Sequence, residues 1–187
     1  PKPILSPMQK REQIARRTTA ARGYNECVTY SFIDHASATL FGGGDEATKL
    51  ANPISADLSH MRPDLLPGLL QAAARNQARG HMDLALFEVG HAFHGGEPDE
   101  QHLQVTGLLV GRTGPKDVHG AMRPVDVFDA KADAEAVLAA LGAPDKVQIL
   151  RDGPAWFHPG RHGRICLGPK KVLGIFGELH PRVLEAM

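Results

Sequence analysis

The chain has 187 residues, with 21 Lys plus Arg balanced by 21 Asp plus Glu, so it carries no formal net charge. That balance argues against a free-standing nucleic-acid binder, which normally carries a basic excess, but leaves room for a subunit whose partner supplies the charge. No apolar run approaches the roughly 18 residues of a membrane span, and no charged-then-apolar leader opens the chain. Cys27 and Cys166 are far apart with no metal-type spacing and read as reduced thiols of a cytoplasmic protein without a membrane partner. The length suffices for a real core, in one large domain or two small ones. The chain starts at Pro1 without Met and stops at Met187 in what reads as a new helix. A single domain over 1–187, part of a longer multidomain chain, is therefore expected.

Ser6-Pro7 opens a helix, as N-cap and first helical residue. It runs to about Arg22, with Gly23 as its cap. It holds Lys10, Arg11, Arg16, Arg17 and Arg22 against Glu12 alone. Its apolar side is thin: Ile14, Thr18 and Ala21. Such a helix contacts RNA phosphate or an acidic partner, or is simply a solvated face. Glu26 to Phe32 alternates as a strand should. His35 to Phe41 is a short helix, and Gly42-Gly43-Gly44 a turn. No Lys-Ser or Lys-Thr follows those glycines, so they do not make a phosphate loop. Leu50 to Ile54 reads as a short strand.

The stretch from Asn52 to His94 organises the chain as strand, tight loop, helix, strand. Asp64 is a good N-cap for a helix from Leu65 to about Arg79, with Pro67 at its third position. Leu66, Leu69, Leu70 and Ala73 fall at i, i+3, i+4 and i+7, making one apolar face, and Gly80 sits where a left-handed cap belongs. From Leu84 to Phe93 the period changes to two, with apolar groups on both faces. That predicts a covered, central strand.

Downstream, Leu103 to Gly111 is a strand whose Gly107 marks a bulge or a close backbone approach. Residues 112–126, with Gly114, Pro115, Gly120 and Pro124, read as a long surface loop. Asp129 caps a helix to Leu141, buried through Ala134, Val137, Leu138 and Leu141, and Gly142 ends it. Val147 to Leu150 is a strand. Arg164 to Leu167 and Val172 to Gly177 form a hairpin around Gly-Pro-Lys-Lys, and short turns imply antiparallel pairing.

Among residues that could carry chemistry, His91 and His94 are three apart on a strand and point to opposite faces. His158 and His162 flank Pro159-Gly160, which rules out the helical HExxH arrangement. Neither pair predicts a metal site. Arg161 on a Pro-Gly turn is aimed in a fixed direction, suited to a carboxylate or phosphate, with Glu178 as the internal candidate. Glu88 sits mid-strand and needs a partner. Arg62 or Arg75 in an ion pair is the structural solution, and general-base work the functional one.

The ordered set MRPDLLPGLL, ARNQAR and LFEVGHAF, with GYNECVTYSF, FDAKADAEAVLAALG, FHPGRHGRI and VLGIFGELHP, resembles the core of the beta-subunit family of bacterial phenylalanine–tRNA ligases over nearly the whole chain. The resemblance implies an α+β fold of class II aminoacyl-tRNA synthetase type, an antiparallel sheet flanked by helices. It also implies a non-catalytic copy. Active members of the class resemble G-x-x-F-R-x-E here, the Arg holding the ATP α-phosphate. Gly90 and Phe93 match, but His94 stands at the Arg position and Gly96 at the Glu position. A neutral imidazole is a poor substitute for a bidentate guanidinium. The third signature of the class, a Gly-rich strand ending in Arg on a helix, is missing; GIFGELHP has Glu178 and no such Arg.

The expectation is a structural domain with no catalytic, cofactor-binding or metal-binding residues of its own. It would dock a catalytic alpha subunit in an α2β2 heterotetramer that joins phenylalanine to tRNA, with ATP and Mg²⁺ held elsewhere. The first helix resembles the class II subunit interface, which points to Ile14, Arg16, Arg17, Thr18 and Ala21. An RNA-binding module that contacts tRNA and an independently active ATP-dependent ligase are the rival readings.

Overall fold

The computed structural model describes residues 4–114, 118 and 122–187. Its elements in chain order are α1 (Pro7–Ala21), β1 (Asn25–Glu26), β2 (Phe32–Ile33), α2 (His35–Leu40), β3 (His60–Met61), α3 (Leu66–Gln77), β4 (Leu84–Phe93), β5 (Gln101–Val110), α4 (Val127–Ala140), β6 (Gln148–Leu150), β7 (Phe157–Leu167), β8 (Lys171–Leu179) and α5 (Pro181–Ala186). Contacts divide the chain into two units, Pro1–Tyr24 with Gly111–Leu184, and Asn25–Val110 with Glu185–Met187.

In the first unit, α1 begins with a capping box. The Ser6 hydroxyl accepts from the Gln9 N–H (3.2 Å), and the Gln9 side chain accepts from the Ser6 N–H (2.8 Å). Gly23, at φ 93°, ends the helix in the left-handed conformation that costs glycine no Cβ clash. Ala15 and Thr19 are its buried residues, and it packs on α4. Arg22 and Tyr24 both reach Asp133 of α4. Burial and that carboxylate together push the Tyr24 phenol well above its ordinary range.

The cap of α4 is Asp126 rather than Asp129. The Asp126 carboxylate accepts from the N–H groups of Phe128 (2.8 Å) and Asp129 (3.2 Å). Asp129 is the reciprocal member of this box, accepting from the Asp126 N–H (2.9 Å) while Arg123 grips it with two nitrogens, at 2.7 and 2.6 Å. Of the four residues expected to bury this helix, Val137 does so fully, while Ala134, Leu138 and Leu141 are half-buried.

β6, β7 and β8 form an antiparallel sheet in that order, against which α4 packs through β8. The hairpin is present, but β7 starts at Phe157, seven residues earlier than its pattern suggested. Pro159 and Gly160 break the alternation that would reveal it. They sit within the strand at a register shift between Phe157 and His162, so this is a bulge and not a turn. The loop expected over 112–126 is closed by a bridge between Arg112 and Pro124; its residues 115–117 and 119–121 lie outside the described residues.

In the second unit β4 is central. It pairs with β1 in parallel and with β5 antiparallel, in the order β1-β4-β5. The β4–β5 register runs unbroken from Leu84↔Val110 to Phe93↔Gln101, so Gly107, opposite Phe87, marks no bulge. Two expected strands are corrected. Glu26–Phe32 is not one strand but ends at β1 and resumes at β2, because Thr29 turns its N–H and hydroxyl onto the Glu88 carboxylate. That leaves Val28 91% and Tyr30 75% exposed. Leu50–Ile54 forms no strand; the residue before it, Lys49, bridges His60, and Asn52-Pro53 then bends the chain away, since proline cannot donate to a ladder.

α3 starts at Leu66, one residue late, with Leu65 at the N-cap position. Asp64 instead accepts the Leu66 N–H at 2.8 Å, as Asp does in turns. Pro67 therefore falls within the first two helical positions, not at the third. The expected face Leu66, Leu69, Leu70 and Ala73 is buried, and so are Pro67, Gly68 and Ala72. Gly68 is required by a close approach: a Cβ there would collide with the Thr29 hydroxyl.

Candidate functional site

Alternation along β4 puts Glu88, Gly90 and Ala92 on one face. Across the ladder stand Thr106, Gln104 and His102 of β5. Onto this face the β3–α3 connection lays Arg62 and Asp64, and the break between β1 and β2 delivers Thr29.

The Arg62 Nη1 donates to Glu88 Oε1 (2.8 Å) and to the Thr29 hydroxyl (3.0 Å), while its Nε donates to the His91 carbonyl (2.9 Å). Thr29 in turn donates through its hydroxyl to Glu88 Oε2 (2.7 Å) and through its N–H to Oε1 (3.2 Å). Both charged side chains are only 4% exposed. Beside them the Gln104 amide donates to Asp64 Oδ2 (2.9 Å) and to the Thr106 hydroxyl (2.8 Å). Burial pushes the Asp64 carboxyl above its ordinary range, opposed by the hydrogen bonds from Gln104 and from backbone N–H groups.

The cluster is closed on itself. Its buried side-chain polar atoms all have partners among the described residues, as buried polar groups must. Gly90 matters here: a Cβ on it would lie 2.5 Å from Arg62 Nη2, so glycine lets the guanidinium rest on the strand.

Both positions at which the sequence departs from the class II signature lie beyond Phe93, the last residue of β4. His94 lies just past the end of β4, exposed, with its ring stacked on His102 at 4.6 Å. Burial, then the neighbouring His94, holds the His102 imidazole below its ordinary range. A side chain at Gly96 would begin 2.9 Å from the Ala47 carbonyl, which leaves no room for the Glu of the signature. The Arg62 guanidinium on this face is paired with Glu88 at 2.8 Å.

The remaining sequence candidates are placed as follows. Arg75 is exposed on α3, and the hydrogen bonds of Glu88 go to Arg62 and Thr29. Arg161 lies at the β7 bulge and pairs with Glu178 of β8 at 2.6 Å. His162 donates from Nδ1 to the His158 carbonyl (2.7 Å), and His158 Nδ1 accepts the Gly160 N–H (3.2 Å); both rings brace that bulge. On α1, Ile14 is 39% exposed, Thr18 half-buried and Ala21 and Arg17 exposed. Arg16 pairs with Glu12 at 2.9 Å. No three His, Cys, Asp or Glu among the described residues gather to hold a metal ion, and no helix among them is long and apolar enough to cross a membrane.

Sequence reasoning missed Thr29, Asp64, Gln104 and Thr106 as members of the cluster. Thr29 sits in a run that reads as plain strand, and Gln104 meets Gly90 only through the β4–β5 register.

Comparison with known proteins places this arrangement. Residues 2–187 match the family model of the phenylalanyl tRNA synthetase beta chain CLM domain. The chain is 76% identical over 187 residues to the phenylalanine–tRNA ligase beta subunit of Ruegeria pomeroyi, and 67% identical over 187 residues to that of Cereibacter sphaeroides. Each alignment covers 100% of this chain and 23% of the relative, so the chain spans about a quarter of the length of these proteins. Among solved structures, a pyrrolysyl tRNA synthetase of Desulfitobacterium hafniense aligns with TM-score 0.69 at 13% identity, covering 96% of this chain and 61% of that one. A second structure of the same organism's enzyme aligns with TM-score 0.65 at 16% identity, covering 95% and 60%. The fold is accordingly α+β of class II aminoacyl-tRNA synthetase type. The chain belongs to the family of phenylalanyl tRNA synthetase beta chain CLM domains.

Proposed function

We propose that this chain is a non-catalytic core of a phenylalanine–tRNA ligase beta subunit that docks the catalytic alpha subunit. The assembly, a cytoplasmic α2β2 heterotetramer, attaches phenylalanine to tRNA, and ATP and Mg²⁺ are bound outside this chain. Residues 1–187 serve as one module of that longer subunit.

The observation that carries this reading is the Arg62–Glu88 pair lying on Gly90. In an active copy that face must stay open and carry a free cation. Here it holds an internally neutralised, nearly dry ion pair. A self-satisfied network of this kind specifies a fold but leaves nothing to bind phosphate. His94 and Gly96 support the same conclusion and speak against an independently active ligase. What the chain offers a partner is surface: Val28 and Tyr30 on the segment between β1 and β2, and Ile14 with Arg17 on α1. Exposed aromatic and Arg side chains, here Tyr30 and Arg17, are the usual anchors of a protein interface.

Two measurements test the proposal. Calorimetry of the chain with ATP–Mg²⁺ is expected to give no heat of binding, and co-purification is expected to recover the alpha subunit of the same ligase. A micromolar ATP site without alpha, or no recovery of alpha, overturns it.

A further inference from the structure

The zero net charge conceals a division. The unit formed by Pro1–Tyr24 and Gly111–Leu184 contains 17 Lys plus Arg against 9 Asp plus Glu, a formal +8. The other unit contains 4 against 12, a formal −8. Composition argued against nucleic-acid binding only because these two halves cancel.

Within the basic unit the excess falls in two places, residues 1–24 with a formal +5 and residues 145–184, which carry the β6–β7–β8 sheet, with a formal +4. From Gly153 to Gly177 there is no Asp or Glu, and this stretch forms β7, its turn and most of β8. Two of its four cations are neutralised by carboxylates at its borders, Arg161 by Glu178 and Arg164 by Asp152. The other two, Lys170 and Lys171, stand exposed at the hairpin turn, where Gly168 takes φ 67°. The register adds a third. Gln148 lies opposite Cys166, and Leu167 opposite Lys171, so Lys146, two residues before Gln148, reaches the same end of the sheet. All three are exposed, and none makes an ion pair among the described residues. Asp145 is the one carboxylate that accompanies them in sequence.

We infer that this end of the β6–β7–β8 sheet, through Lys146, Lys170 and Lys171, contacts the phosphodiester backbone of an RNA. The inference rests on the ligase reading only in naming RNA rather than DNA. The residue types decide between RNA and an acidic protein. Protein interfaces are depleted in Lys and built on aromatic and Arg anchors, whereas phosphate backbones are neutralised by flexible point charges and read without base contacts. Among the described residues near the turn, the large apolar side chains notably exposed are Val172, at 45%, and Ile149, at 39%, with no aromatic among them to anchor a protein.

The test is the salt dependence of tRNA binding by the whole ligase, followed by fluorescence anisotropy. Each phosphate contact removed flattens the plot of log affinity against log salt by about 0.7 to 0.9. Changing Lys146, Lys170 and Lys171 together to Gln is expected to flatten the slope by about 2 and to weaken all tRNA sequences alike. Lys→Arg at the three positions is expected to keep the parent slope. Recovery of alpha is expected to be unaffected, which separates this surface from the proposed docking face. A parent-like slope in the Gln variant overturns the inference. So does loss of alpha with tRNA affinity intact, which would make the surface a protein interface. A larger effect on binding to vesicles of anionic lipid than on tRNA would assign it to a membrane surface and overturn the inference equally.

Discussion

Arg62 and Glu88 meet at 2.8 Å with only 4% of either side chain exposed, and Thr29 bridges both of them. A buried ion pair is held in place by the cost of breaking it more than by its own attraction, because a lone buried charge has lost its water. Glu88→Leu or Arg62→Met alone is expected to destabilise the chain by about 3–5 kcal/mol. The double replacement Arg62→Met with Glu88→Leu is expected to cost clearly less than the sum of the single changes. Urea melts of the four proteins check this; additive costs would mean the two residues do not act as a pair.

α3 is buried on more than one stripe, so both deletion and addition should register. Leu70, 8% exposed, is expected to cost about 2–5 kcal/mol when cut to Ala, the range for a buried Leu replaced by a cavity. Gly68→Ala is expected to cost about 1–3 kcal/mol, the range for overpacking, because the new methyl collides with Thr29. Combining Gly68→Ala with Thr29→Ser should recover little, since the hydroxyl itself is in the way. Thermal melts that leave Gly68→Ala at the parent midpoint would refute the close approach.

His60 is buried against β2, with Ser59 Oγ 2.9 Å from its Nδ1 and the His35 ring 4.8 Å away. Burial, then the His35 charge and Lys49, holds its imidazole below the ordinary 6.5, against weaker opposing pulls from Glu46 and Asp34. The unfolded chain therefore takes up a proton near pH 6.5 that the folded chain refuses. Stability from this residue is present above that pH and is lost as pH falls toward the folded value. Denaturation of the parent and of His60→Gln between pH 7.5 and 5.5 checks it: the parent is expected to weaken more steeply than the variant. Parallel pH curves would show that His60 is not the titrating group.

On α1 the buried residues are Ala15 and Thr19, so Ile14 is free to meet a partner. Ile14→Asp is expected to lower affinity for the alpha subunit, by placing an unpaired charge in the interface, without shifting the melt of the free chain. Arg16→Glu with Arg17→Glu is expected to slow association with alpha and to weaken its salt dependence, as rim charges do. Arg16→Glu also sets a second carboxylate beside Glu12, so Arg17→Glu alone is the cleaner probe of rate. Association kinetics at two ionic strengths separate these effects. Undiminished binding by Ile14→Asp would remove α1 from the interface.

What the sequence by itself determined lies within a few residues of the chain. Ser6-Pro7 and Gly23 bound α1, the apolar face of α3 is read from Leu66 to Ala73, β4 is read from Leu84 to Phe93, and the hairpin follows from Gly-Pro-Lys-Lys. Caps, periodicity and turns are contacts between near neighbours, so their partners are already visible in the string. Asp126 and Asp129 show the limit of that rule: either is a good cap, and Arg123 with the reciprocal backbone bond chose between them. Tertiary structure alone decided the rest. It gave Glu88 to Arg62 rather than Arg75 and broke the expected strand at Thr29. It also carried Lys146 to the end of the sheet where Lys170 and Lys171 stand. In each case the partner is far along the chain, and the desolvation cost of a buried charge or the register of a ladder selects it. Neither quantity exists until the segments are packed together.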